Sequence, residues 1–392
     1  MNIPISLLWL APLIGLVAGS VAYCGLAILA AFHYRKSGAP KLTKFPPVSV
    51  LRPMAGDRDN TEAGLRSVFE QDYPVFEVIL GVASPEDAAV PIARRLMAEY
   101  PNRPSRLVFS GDSPYPNRKV WQLRALWDEA RYETIVMADS DIRWAPNCLK
   151  TVVSELTQEG VALVTCPYRA TAGPSRWSQM EALGLNTDFI SGMLTARMLN
   201  GMDYAIGCTL ATRRAEIEAI GGLQGVQPYL SEDFVIGNRL HHLGRTVILS
   251  RSVIEHYIGN DSIRASWSHR LRWARGSRRS RPAGYVGEVF TKPTVPAVAL
   301  LVLAPGWGAV AGLAVAALVM RLAVVWTASS LVLEDREMKR RWWLLPMEDI
   351  STFTVWALGF FGNKLVWRGH ELIIQRDGTV LTPEPATSSA LQ

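Results

Sequence analysis

The hydrophobic positions of this chain follow two patterns of different length. The long pattern is continuous. Ile5 to Phe32 runs 28 residues without an ionisable side chain, and about 20 apolar residues cross the hydrocarbon of a bilayer. Val295 to Leu333 is a second apolar run, broken only by Arg321 and long enough for two membrane helices. Trp342 to Gly362 is apolar but holds Glu348 and Asp349. Charges are costly inside a span, so this stretch predicts a short or re-entrant helix. Between these runs the pattern shortens. Strands are predicted at Val48–Leu51, Phe76–Val82, Arg106–Phe109, Thr134–Ala138 and Val161–Thr165, where apolar residues cluster in fours to sevens. Helices are predicted at Thr61–Glu70, Glu86–Tyr100 and Lys119–Ala130. In the last, Val120, Leu123, Leu126 and Trp127 share one face. This alternation argues for an α/β domain with a mostly parallel, helix-covered sheet.

Composition sharpens the picture. Of 392 residues, 49% are hydrophobic and 19% charged, which excludes disordered and collagen-like chains. The four cysteines, Cys24, Cys148, Cys166 and Cys208, have no metal-type spacing and read as free thiols. Met1–Pro4 carries no basic residue and the run behind it is too long for a signal peptide, so it predicts an uncleaved anchor. His33, Arg35, Lys36, Lys41 and Lys44 follow at once, which by the positive-inside rule places the α/β domain in the cytoplasm and the N-terminus outside.

A bacterial inner membrane is the expected location. Ile263 to Pro282 carries an apolar stripe (Ile263, Trp267, Leu271, Ala274) beside seven arginines, the pattern of an interfacial helix. The organisation expected is an anchor and basic flank over 1–44, a catalytic domain over 45–262 and an interfacial helix over 263–290. Membrane segments over 291–363 and a tail over 364–392 complete it. A net charge of +6 is too small to argue for nucleic acid, and no nucleic-acid partner is expected.

Chemistry is expected at the carboxyl ends of the strands, where open α/β sheets bind ligands. Asp139-Ser140-Asp141 directly follows the Thr134–Ala138 strand. Two carboxylates at i and i+2 on a turn can reach one hard cation and leave positions for phosphate oxygens. Ser231-Glu232-Asp233 opens a helical pattern. It fits a helix N-terminus, and it also fits a general base at the mouth of the sheet. No GxGxxG or Walker loop is present.

Together these residues resemble the family 2/21 glycosyltransferases typified by the ceramide glucosyltransferases, with bacterial hopanoid glycosyltransferases as close relatives. Asp139-Ser140-Asp141 matches the family's D-x-D element, Glu232-Asp233 its E-D pair, and Arg272-Trp273 the end of its Q/R-x-x-R-W motif. Asn117-Arg118-Lys119 is similar to its Asn-Pro-Lys stretch, and Pro53 with Gly56 to its Pro-x-x-Gly loop. The family's first aspartate falls on Arg58, between Asp57 and Asp59, and its Gln/Arg falls on His269.

The resemblance implies a GT-A fold with a UDP-sugar as donor. It assigns Asp57 or Asp59 to the uridine, and Asp139 and Asp141 to Mg²⁺ or Mn²⁺. Lys119, His269, Arg272 and Trp273 would lie around the donor, with Asp233 as the base of an inverting transfer. The acceptor it implies is a bilayer lipid, ceramide first, then a hopanoid polyol, then diacylglycerol. A nucleotide-binding membrane scaffold or transporter is the non-enzyme alternative. A processive synthase is a further rival, but it usually has more spans.

Overall fold

The computed structural model describes residues 5–36, 38, 40, 44–56, 60–259, 262–304, 306–367 and 369–383. Asp57 and Asp59 therefore lie outside the described residues, as does the end of the chain beyond residue 383.

Strands β1 (Val48–Pro53), β2 (Phe76–Val82), β3 (Ser105–Phe109) and β4 (Thr134–Ala138) pair in parallel in the order β3-β2-β1-β4. Every residue of β1, β2 and β4 is buried, because helices cover both faces and unbroken apolar runs suit that position. The two-residue strand β5 (Ile142–Arg143) follows the Asp139–Asp141 turn, and β6 (Val161–Thr165), β7 (Tyr168–Ala172) and β8 (Thr209–Arg213) come next. β8 inserts antiparallel between β4 and β6, and β9 (Thr246–Leu249) closes the edge. The reversal has a consequence for the site. The start of β8 lies beside the end of β4, with Ala138 opposite Thr209, and the Asp139 amide donates to the Cys208 carbonyl at 3.1 Å. β10 (Ile254–Ile258) joins β5 and β7 in a second sheet below that turn, where the Tyr257 amide donates to the Asp141 carbonyl at 3.0 Å.

Two helices, Trp9–Lys36 and Gly308–Val332, are long and apolar enough to cross a membrane. Both run straight into the α/β core. Ala30, Ala31 and Tyr34 of the first, and Ala328, Val332 and Leu333 at the end of the second, belong to the same buried cluster as the sheet. The Tyr34 hydroxyl donates to the Ser250 carbonyl at 2.6 Å, and Arg251 stacks 4.0 Å over its ring while donating to its carbonyl. That arginine satisfies a carbonyl at the helix C-terminus, where a cation is favoured.

The structure details the membrane region and corrects its C-terminal end. Val295–Leu333 holds two helices, Gly308–Trp326 and the ten-residue Thr294–Leu303, and the latter forms with Pro282–Thr291 a pair bent by 55°. Several arginines of the Ile263–Ser280 helix are held by protein groups. Arg270 pairs with Glu348 at 2.8 Å, and Arg275 and Arg278 donate to carbonyls at Phe360, Phe361, Gly362 and Lys364. The stretch expected as a tail from residue 364 forms an antiparallel sheet of β11 (Lys364–Trp367), β12 (His370–Ile374) and β13 (Val380–Leu381). Alternating Leu365, Leu372, Ile374 and Val380 bury its inner face.

The Leu345–Gly359 helix explains Glu348 and Asp349. Both face inward, Glu348 to Arg270 and Asp349 to Arg321 at 2.6 Å, while Met347, Ile350 and Leu358 stay exposed. Arg321, the one ionisable residue of the second apolar run, is also paired with Asp188 at 2.5 Å. A buried cation needs such partners.

Candidate active site

Asp139 leaves the end of β4 at the rim of the sheet. Lys119, in the first turn of the Arg118–Glu129 helix, reaches it with Nζ 2.7 Å from Oδ1, and reaches Glu232 Oε1 at 2.9 Å. One ammonium thus joins the D-x-D turn to the Glu232–Asp233 pair. Asn117 fixes the geometry. Its Oδ1 accepts from the Val120 amide and caps that helix, while its Nδ2 donates to Glu232 Oε2 at 3.1 Å and to the Tyr229 carbonyl at 2.9 Å. The Glu232–His242 helix starts at these acids, so its N-terminal dipole also favours negative charge there.

Asp233 sits against Gly207. A β-carbon at Gly207 would lie 2.9 Å from Asp233 Oδ2, so the glycine makes room for the carboxylate. Gly237, one turn further along the helix, packs on the backbone of Tyr204 and Ala205, where a β-carbon would approach within 2.3 Å. The loop leading into β8 is therefore pressed against the acidic helix.

Electrostatics follow this crowding. Burial, and then Glu232, pushes the Asp233 carboxyl up to about 7, with Lys119 opposing. Burial also raises Asp139, Lys119 pulling it back and Asp141 adding to the rise. Burial alone would lower Lys119, but Asp139 and Glu232 outweigh it and hold its ammonium well above the usual range. The Cys208 thiol and Tyr168 hydroxyl are each raised by burial and by both Asp141 and Asp233. Both carboxylates thus bear on the same two buried groups.

Three contributors escaped the sequence reading. Arg52, fully buried on β1, donates to the carbonyls of Ser140, at 3.3 Å, and Ile142, and so holds the D-x-D turn from behind. Burial lowers it to about 10, opposed by Asp141 and Asp139. A charge within the apolar run Val48–Leu51 to Pro53 was the available signal. His256 on β10 has Nε2 3.6 Å from Asp141 Oδ2; burial lowers its affinity for a proton, but Asp141 reverses the effect and the net shift is upward. Glu181, from the Arg176–Gly184 helix, accepts from Ser266 at 2.7 Å and meets His269 Nδ1 at 2.5 Å. Nothing in its local sequence marks either partner.

The Ile263–Ser280 helix brings Trp273 between two imidazoles, 4.8 Å from His269 and 6.5 Å from His256 at 17°. The guanidinium of its neighbour Arg272 lies 5.6 Å from the Trp367 ring of β11. Lys119, Asp139, Asp141 and Asp233 are thus gathered, and Trp273 and His269 adjoin them through His256. Arg272 faces the C-terminal sheet.

The cleft at the acids is lined by Pro53, Lys119, Asp139, Gly207 and Glu232 among others, with about 10 Å³ of room. Another groove, about 570 Å³, lies at Arg279, Asn363 and Ile373–Asp377 and shares no lining residue with it. We place the site at the acids because the converging charges are there. Among the described residues no three His, Cys, Asp or Glu side chains form a metal-ligand cluster. Asp139 and Asp141 nonetheless fit a hard cation that takes its remaining ligands from phosphate oxygens and water.

A parallel-dominated sheet, an acidic rim at the end of β4 and the start of β8, and two helices fit to cross a membrane define a GT-A-like glycosyltransferase fold. The chain belongs to glycosyl transferase family 21, whose profile matches residues 7–380. It is similar to ceramide glucosyltransferase 1 of Caenorhabditis elegans, 27% identical over 220 residues, which is 56% of this chain and 46% of that protein. The ceramide glucosyltransferase of Komagataella phaffii is 33% identical over 144 residues, 35% of this chain and 28% of that protein. The chain thus spans about half the length, or less, of these curated relatives. Among solved structures, the mannosyltransferase PcManGT from Pyrobaculum calidifontis, in complex with GDP-Man and Mn²⁺, aligns with TM-score 0.53 and 18% identity. The alignment covers 90% of this chain and 98% of that one.

Proposed function

We propose that this protein transfers a sugar from a UDP-sugar to a hydroxyl of a bilayer lipid, ceramide being the first-choice acceptor, with inversion at the anomeric carbon. The observation that carries this reading is the Lys119 bridge, which joins the D-x-D turn to the acid pair in one cleft. The names of the relatives support the acceptor class, and the Mn²⁺ and GDP-Man of the similar mannosyltransferase support a cation-assisted nucleotide-sugar donor.

Asp139 and Asp141 would hold Mg²⁺ or Mn²⁺, which when bound offsets the charge growing on the departing diphosphate. Arg52 holds the backbone of that turn through the Ser140 and Ile142 carbonyls, and His256 faces the Asp141 carboxylate. Lys119 supplies a fixed positive charge beside the diphosphate. Arg272, Trp273 and His269 would border the donor on the helix side, and the family resemblance assigns Asp57 or Asp59 to the uridine. Asp233 takes the proton of the acceptor hydroxyl as its oxygen bonds to the anomeric carbon. The bond from that carbon to the phosphate oxygen breaks in the same displacement, and UDP leaves. The buried, half-neutralised state of Asp233 suits a base that works near neutral pH.

In this reading the α/β domain lies in the cytoplasm and the N-terminus outside a bacterial inner membrane; the basic flank His33, Arg35, Lys36, Lys41 and Lys44 supports that orientation. The test incubates membranes holding the protein with several UDP-sugars and with ceramide, hopanoid polyol or diacylglycerol, followed by mass spectrometry. A glycosylated lipid is expected, lost in excess EDTA and in Asp233→Asn. Nucleotide binding without any product would favour a scaffold or transporter. Undiminished transfer by Asp233→Asn would overturn the assignment of the base.

A further inference from the structure

The C-terminal sheet touches both family motifs that bound the site. On one side it extends the segment leading into the acids. The Leu230 amide donates to the Gly378 carbonyl at 3.1 Å, the Val380 amide donates to the Pro228 carbonyl at 2.8 Å, and Tyr229 bridges Thr379. Leu230 is buried among Leu365, Leu372, Ile374 and Val380. Two residues later come Glu232 and Asp233. Gly378 has φ +87°, a conformation that favours glycine, and it is the residue whose carbonyl meets Leu230. On the other side, Trp367 packs against the same cluster and carries the Arg272 guanidinium at 5.6 Å.

A three-stranded sheet of this size has too little core to stand alone. It is tied down by Arg275 and Arg278 of the helix that bears Arg272. It therefore couples two elements that share no sequence neighbourhood, and it does so at the residues adjoining their chemistry.

We propose that the Lys364–Leu381 sheet is the positioning element of the site, holding the Glu232–Asp233 turn through Leu230 and the Arg272 guanidinium through Trp367. The inference rests on the transferase reading above for its effect on rate, but its structural half does not. Trp367 and Val380 touch no reacting atom in this reading. They act through Arg272 and through the acidic turn.

The test uses the full chain in lipid nanodiscs. Trp367→Phe keeps an aromatic face for the guanidinium, whereas Trp367→Leu keeps only apolar packing. Leucine is expected to lower kcat/KM for the UDP-sugar about tenfold and phenylalanine to recover most of it, as for a cation over a ring. Equal values for the two variants overturn the role of Trp367.

Val380→Ala leaves the backbone bonds possible but thins the packing under Leu230. Amide hydrogen exchange at residues 229–233 is expected to accelerate severalfold, with kcat falling more than KM rises. Unchanged exchange there overturns the brace. Asp233→Asn separates the two readings: it should abolish transfer and leave exchange as in the parent chain. If it transfers normally, the base assignment fails while the exchange comparison still decides the brace.

Discussion

At the scale of single residues the site is governed by the burial of charge. Asp233 is the clearest case, and its sign runs against the ordinary behaviour of a carboxylate. Its folded value of about 7 stands above the usual 3.8, so the fold prefers the protonated acid. Ionising it as pH climbs from about 4 through about 7 therefore removes stability. In the proposed mechanism the same ionisation creates the base. We expect kcat/KM to rise with pH to a plateau above about 7 while the melting temperature falls across the same window. Asp233→Asn should abolish the activity limb and flatten this part of the stability profile. A melting temperature that rises from pH 4 to 7 in the parent chain and not in the variant would show that Asp233 is stabilised as the anion instead. Arg52 obeys the same logic from the opposite sign. Burial works against its charge, and the Asp139–Asp141 turn in front of it supplies both the acceptor carbonyls and the compensating field.

At the scale of elements, position is set by close backbone approach. The Glu232–His242 helix can bring its acids to the rim only because Gly237 lets it lie on Tyr204 and Ala205. Gly237→Ala would place a β-carbon 2.3 Å from the Ala205 nitrogen, which no side-chain rotation relieves. We expect a loss of about 1–3 kcal/mol, as for overpacking, with a fall in kcat as the acids shift. Gly287→Ala is the control, since nothing lies within 4 Å of its added carbon. Equal melting curves and rates for the two variants would remove the argument.

Elements whose causes are local were legible in the sequence. β2, β4 and β6 match their apolar runs, and the Arg118–Glu129 helix follows its i, i+3, i+4 face and its Asn117 cap. The acids at the end of β4 were legible for the same reason. What the sequence hid depends on partners far along the chain. β8 is a short run with no sign of its direction, and it is antiparallel only because of where it inserts. The Arg176–Asn200 region gave no strong periodic face, because Glu181 and Asp188 point inward to cations from the Ile263–Ser280 and Gly308–Trp326 helices. The C-terminal sheet alternates weakly over two to five residues per strand and is specified by Leu230 and the arginines it meets.

At the scale of the whole molecule, the membrane helices are part of the catalytic body and not a tether to it. A tethered domain would share few contacts with its anchor, and its site could swing at a variable height above the lipid. Here the last turns of both spans lie in the core that holds the sheet, and Tyr34 is buried, hydrogen-bonded to Ser250 and faced by Arg251. Packing therefore fixes the position of Asp233 relative to the two helices, and in the proposed reaction a lipid acceptor would have to raise its hydroxyl to meet it. This makes a prediction about the first helix. Tyr34→Ala should cost about 3–5 kcal/mol, the range for emptying a large buried ring site, whereas Leu29→Ala, at a position 61% exposed, should change stability little. Thermal unfolding in nanodiscs measures both. Deleting residues 1–36 should give a chain that aggregates, because Ala30, Ala31 and Tyr34 leave the core with it. A truncated chain that stayed folded and bound UDP with the parent's affinity would mean that the span is only an anchor after all. The site would then be free to seek its acceptor at any depth the linker allows.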